Sequence, residues 1–136
     1  MPDLGELLHD PARRRGWRVM LLITMAVVSW FAFVPDPGGP RFAQADKLNH
    51  LLAFGTLGGL AALCTAAGRR PALLAMLGLL AYGGFIELVQ TQLPTRHGDW
   101  ADMLADGAGI VLGQLAAAAL RRRWPSRRLR HRGRMG

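Results

Sequence analysis

Residues 71–93 read PALLAMLGLLAYGGFIELVQTQL, bounded by Arg69-Arg70 on one side and by Pro94 on the other. Glu87 is the sole charged side chain in this run. A hydrocarbon core about 30 Å thick is crossed by about 20 mostly apolar residues in α-helical form. The stretch is therefore expected to be a transmembrane helix, with Pro71 in its first turn and Pro94 closing it.

Three further stretches of the same kind flank it. One runs from about Trp17 to Val34 and is followed by the turn-rich connector PDPGGPRFAQ at 35–44. The next runs from Asp46 to about Ala67, where Gly68 and Arg69-Arg70 interrupt it. The last begins at Asp99, after the loop Thr95-Arg96-His97-Gly98, and reaches about Leu120. The expected fold is all-α, a four-helix transmembrane bundle with spans of about 17–34, 46–67, 71–93 and 99–120. A polar arm, 1–16, broken by Pro11, precedes it, and a basic tail, 121–136, follows. A chain of 136 residues leaves no room for a separate soluble catalytic domain.

The charge pattern orients the bundle. Eight arginines follow residue 120, four lie between Arg13 and Arg18, and two sit at 69–70. These fourteen fall on one side, against Arg41, Lys47 and Arg96 on the other. The positive-inside rule then puts both termini in the cytoplasm (N-in/C-in). The net charge of +8 also suits nucleic acid, but no recognition motif accompanies it. Juxtamembrane arginines attract anionic lipid instead, so membrane lipid is the expected partner and nucleic acid is not. Arg13–Arg18 followed by an apolar run resembles a signal peptide. The Ala43-Gln44-Ala45 triplet lies too far beyond that run, across Pro35, Pro37 and Pro40, so a retained helix is expected. Cys64, the single cysteine, is expected to pack rather than to react.

Ionisable residues gather near the outer face. Asp46 and His50 are four apart on the second helix, with Lys47 beside them; Glu87 and Gln90 are three apart on the third. Asp99, Asp102 and Asp106 form one stripe on the fourth, continued by Gly109 and Gly113. The small-xxx-small pairs Gly109/Gly113 and Gly55/Gly59 permit close helix contact without a hydrophobic driving force. The helix 4 carboxylates should therefore face the bundle interior. Glu87 lies about 9 Å inside the end of its helix at the α-helical rise. An ionised carboxylate facing lipid at that depth costs several kcal/mol, so it must be neutral, paired or in a hydrated cavity. Lys47, His50 and Arg96 are the available partners. Asp46 and Asp99 also suit helix N-caps, and Arg96 would balance Asp99 and Asp102 at the interface. His50, Glu87 and Asp106 are the stronger functional candidates, with Gln90 a hydrogen-bonding support.

Asp46-Lys47-x-x-His50-x-x-x-Phe54, Glu87-x-x-Gln90, Arg96-x-x-Asp99-x-x-Asp102 and Gly109-x-x-x-Gly113 occur in this order across residues 46–113. Together they resemble the signature of VanZ-like membrane proteins. The resemblance implies a bacterial inner-membrane protein of the cell envelope, from a family whose name derives from a member linked to resistance to a glycopeptide antibiotic. This chain carries Asp106 where the family usually has asparagine, which adds a titratable group.

Three functions are compatible with these residues. In the first, Asp46, Lys47, His50, Glu87, Gln90, Arg96, Asp99, Asp102 and Asp106 engage a polar headgroup, such as a lipid-linked cell-wall precursor, its phosphate either contacted directly by Lys47, Arg96 and His50 or bridged by a divalent cation. In the second, Asp46, His50, Glu87, Asp99 and Asp102 ligate a divalent metal for hydrolysis or transfer, or His50 and Glu87 act as an acid–base pair. In the third, buried carboxylates pass protons or ions, but the apolar inner halves of the helices oppose this. Neither a Walker loop nor H-E-x-x-H nor G-x-S-x-G occurs. Oligomeric state is not legible in the sequence.

Overall fold

A computed structural model describes residues 4–34, 43–94 and 99–125. Among these the chain is all-helical: α1 (Leu4–His9), a 3-10 turn (Pro11–Arg13), α2 (Arg14–Phe33), α3 (Ala43–Cys64), α4 (Arg69–Gln90) and α5 (Trp100–Arg123). The expected external connector, the loop containing Arg96 and most of the basic tail lie outside the described residues.

Three helices are long and apolar enough to cross a membrane: Pro11–Phe33, Arg69–Gln90 and Trp100–Arg123. α3 differs because Asp46, Lys47, Asn49 and His50 occupy its first turns, leaving Leu51–Cys64 as its apolar run. At 1.5 Å per residue that run is about 21 Å long, short of the hydrocarbon thickness.

Helix boundaries follow local chemistry. The Asp10 carboxylate accepts from Ala12 N–H at 3.0 Å and Pro11 opens the 3-10 turn that leads into α2. α2 stops at Val34, which is extended, as a residue before proline prefers. α3 was expected to continue to Ala67 but ends at Cys64. The reason lies in α5: the Arg121 guanidinium donates to Leu63 O at 3.5 Å and Thr65 O at 3.0 Å, satisfying carbonyls that another turn would have used. α4 begins two residues before Pro71, where a missing N–H costs nothing. It gives way after Gln90, not Leu93, to a tightened turn with Gln92 N–H on Val89 O and Leu93 N–H on Gln90 O, ahead of Pro94. α5 runs three residues past Leu120, to Arg123, with Pro125 beyond.

The helices alternate in direction, so α3 and α5 are parallel. Their contact is the closest in the molecule. A Cβ on Gly55 would lie 3.5 Å from Gly109 O, and one on Gly59 3.4 Å from Gly113 O. In the reverse direction, a Cβ on Gly109 would overlap Leu51 O and one on Gly113 would overlap Gly55 O. The two glycine pairs thus face each other, and a side chain larger than hydrogen on α5 would separate the helices. Phe54, Leu57, Ala61, Leu79, Ile86 and Ile110 form the core. Across the bundle, Tyr82 Oη donates to Met25 O at 2.8 Å beside Ser29, and Gln114 donates to Ala72 O at 2.9 Å.

The distribution of polarity is inverted relative to a water-soluble bundle. Leu22, Trp30, Leu74, Leu88, Leu104 and Leu115 are each 60–69% exposed, while Asp106, at 1%, is among the most enclosed side chains. Such a surface is compatible with lipid tails as the surrounding solvent. The N-terminal arm, read as a short polar segment broken by Pro11, forms α1 and docks on the end of α5. His9 Nε2 lies 3.1 Å from Arg121 O, Arg121 Nε donates to Leu8 O at 3.2 Å and Trp17 Nε1 donates to Leu7 O at 3.1 Å. Buried Gly5 permits the approach of Pro125 O, 2.8 Å from where a Cβ would sit. The described ends of the chain therefore meet at one end of the molecule.

Candidate functional site

The opposite end holds the ionisable cluster, contributed by the first turns of α3, the last turns of α4 and the first turns of α5. His50 is at its centre. Its Nδ1 lies 2.9 Å from Asp106 Oδ1, so the ring donates there and leaves Nε2 facing Glu87 Oε1 at 4.0 Å. The imidazole is further fixed by Phe54, which stacks parallel to it at 6.3 Å between ring centroids. Asp106 reaches this position because residue 83 is glycine; a Cβ there would stand 2.5 Å from Asp106 Oδ2.

Glu87 crosses from α4 to α5. Its Oε2 accepts from Asp99 N–H at 2.9 Å, so a carboxylate from a neighbouring helix serves the start of α5. Asp99 itself is the α5 N-cap, accepting from Ala101 N–H at 2.9 Å through Oδ1. Its Oδ2 accepts from Lys47 Nζ at 3.1 Å. Lys47 also approaches Asp102 Oδ1, at 3.8 Å. Asp99 precedes the membrane helix. The Ala101 N–H, then the Lys47 ammonium, hold its carboxyl below the ordinary range.

Three carboxylate oxygens in this cluster are buried with no hydrogen-bond partner among the described residues: Glu87 Oε1, Asp102 Oδ1 and Asp106 Oδ2. A buried polar atom left unpaired costs about 1–3 kcal/mol, and more when charged. Three within one cluster make a concentration of acceptors that suits a cation or a donor-bearing ligand. Asp46, His50 and Asp102 present ligand atoms that all lie within 4.8 Å of one another. Opposite ligands at about 2.3–2.6 Å from a common ion reach such separations, and the oxygen-rich donor set suits a hard divalent cation.

Of the five expected metal ligands, Asp46, His50 and Asp102 are gathered into this group, whereas Asp99 is used for capping and by Lys47. Glu87 sits alongside, with Oε2 on Asp99 N–H and Oε1 4.0 Å from His50 Nε2. Asp46, a candidate cap, lies inside α3, which starts at Ala43. Gln90 turns away from the cluster and donates to Ala32 O at 3.2 Å, tying α4 to α2. Arg96 is outside the described residues. Phe54 and Gly83 were not singled out as parts of a site. Their roles as the His50 stacking face and the gap for Asp106 depend on helix rotation, for which an apolar run carries no distinct signal. Comparison with protein-family models, with curated proteins and with solved structures finds no match to this chain.

Proposed function

We propose that this chain is a VanZ-like integral protein of the bacterial inner membrane in which α3 serves as a fourth span beside the three long apolar helices. Its short apolar run is compensated by enclosure, since Phe54, Leu57, Leu60 and Ala61 are all buried among the other helices. Both termini are proposed to be cytoplasmic. The excess of arginine at the end where α1 meets α5 supports this orientation, and labelling of single cysteines placed at residues 2 and 134 tests it. The His50 cluster then faces the outer leaflet.

The proposed function is recognition of a polar, phosphate-bearing headgroup of an envelope lipid, such as a lipid-linked cell-wall precursor, through a divalent cation. One observation carries it: three buried carboxylate oxygens with no hydrogen bond among the described residues lie around His50. Five acids against Lys47 and His50 would repel a phosphate directly. A cation held by Asp46, His50 and Asp102 reverses that local sign and gives the Asp102 carboxylate a partner. Resistance to a glycopeptide antibiotic would be a downstream consequence of altered precursor availability.

The test is mass spectrometry of the protein purified in mild detergent, for bound metal and co-purifying lipid, beside Asp102→Asn. Stoichiometric metal and a phospholipid-class ligand, both lost in the variant, are expected. If the wild-type protein holds neither after incubation with the metal, the reading fails.

A second reading rests on the line Asp106–His50–Glu87. Asp106 fixes the ring and leaves Nε2 available beside a half-satisfied carboxyl, the arrangement of an oriented general base. It expects turnover of a lipid-linked phosphodiester or pyrophosphate, abolished by His50→Ala. Binding without turnover would reject it.

A further inference from the structure

The end of the molecule away from His50 contains a cleft of about 530 Å³ between the α3–α4 turn and the second half of α5. That volume is within the range of sites for small molecules. Its lining is divided along its length. Arg121 and Arg122 come from the last turn of α5, His9 lies against Arg121 O and Arg69 opens α4, while Val111, Leu115 and Ala118 line the α5 wall. From Val111 to Arg122 the helix rises about 16 Å. Aspartate and glutamate are absent from the described lining.

Two features decide what such a cleft holds. Val111 and Leu115 are 43% and 60% exposed on a helix apolar enough to cross a membrane, so the cleft opens sideways toward hydrocarbon. The three arginines are also not equivalent. Arg121 is occupied by the carbonyls of Leu8, Leu63 and Thr65, whereas Arg69 and Arg122 are exposed and make no side-chain hydrogen bond among the described residues. Gln114, midway along, is turned to Ala72 O, which leaves the wall between the two zones largely apolar. Gly68 provides no capping side chain at the start of α4, so the first N–H groups of that helix add to the positive end.

We infer that this cleft binds one anionic phospholipid, its phosphodiester held between Arg69 and Arg122 and an acyl chain laid along Val111, Leu115 and Ala118. A basic recess between membrane helices with an apolar lateral opening complements both parts of such a molecule. Free phosphate shares only the first part. The site is separate from the His50 cluster and does not depend on what that cluster binds.

The test is native mass spectrometry of the full chain in mild detergent, titrated with phosphatidylglycerol, phosphatidylcholine and inorganic phosphate. Wild type is expected to retain one phosphatidylglycerol, in preference to the other two. Arg69→Gln with Arg122→Gln should weaken it by about thirtyfold, from about fivefold per exposed arginine near a lipid surface. Leu115→Trp, which fills the wall and keeps every charge, should also weaken it. Trp100→Phe, an exposed position at the far end, should not change it. Equal retention of phosphatidylcholine would overturn the inference. So would competition by inorganic phosphate as strong as that of the lipid, an undiminished affinity in the double variant, or a loss in Trp100→Phe.

Discussion

The His50–Asp106 pair offers the sharpest test of how the cluster is held. Asp106 is 1% exposed, one of its oxygens lies 2.9 Å from His50 Nδ1, and the other has no hydrogen bond among the described residues. Asp106→Ala removes both oxygens with opposite consequences. Breaking a buried pair costs about 3–5 kcal/mol, because the remaining polar group stays buried. Removing the orphaned oxygen returns about 1–3 kcal/mol of desolvation. The expected net loss is about 2 kcal/mol. Asp106→Asn retains an oxygen acceptor for the His50 ring, and its cost should stay within about 1 kcal/mol. Reversible unfolding in mixed detergent micelles, followed by fluorescence of the four tryptophans, measures both. A double-mutant cycle with His50→Ala isolates the pair, with an expected coupling of about 1.5–3 kcal/mol. A coupling below about 0.5 kcal/mol, or an alanine variant as stable as the asparagine variant, would refute the reasoning.

Other perturbations test different parts of the molecule. Gly113→Leu should force α3 and α5 apart and destabilise by at least about 1–3 kcal/mol, read by the same unfolding assay, whereas Gly78→Ala, with open space around it, should stabilise by about 0.5–1 kcal/mol. Arg121→Ala should expose the carbonyls of Leu63 and Thr65 and release α1. Hydrogen exchange in α1 and at residues 62–68 should then quicken, and unchanged protection would contradict the assigned contacts. For Asp99, whose folded-state pKa lies below the ordinary 3.8, the stabilisation is present above that value and disappears as pH falls through the folded-state one. Lys47→Gln should move the Asp99 pKa part of the way back up in a carboxyl-carbon NMR titration, the Ala101 N–H keeping the rest of the depression. No movement would mean that Lys47 does not act on it.

What was readable in advance follows from the range of each interaction. Long apolar runs declare membrane-capable helices because hydrocarbon admits little else, and residues 71–93 carry that signal without any knowledge of neighbours. α3 is a weaker case on the same criterion, because its first turns are polar and its apolar run is short. The stripe of Asp99, Asp102, Asp106, Gly109 and Gly113 is a matter of helical period alone. Helix ends were less legible. The stop at Cys64 depends on an arginine 57 residues away in the chain, a dependence that local propensity does not contain. The basic tail read as solvated charge, yet Arg121 is bound to three carbonyls from two other segments.

Sequence by itself determined an all-helical chain with membrane-capable apolar helices and brought ionisable groups to matching ends of three helices, since period and hydropathy act within one helix. Tertiary structure alone decided which glycines meet, which His50 nitrogen faces Glu87, which carboxylate oxygens lack a hydrogen bond among the described residues, and that α1 closes on α5. Each of these turns on the rotation and approach of one helix against another. That is set by packing over distances of a few ångströms between residues far apart in the chain.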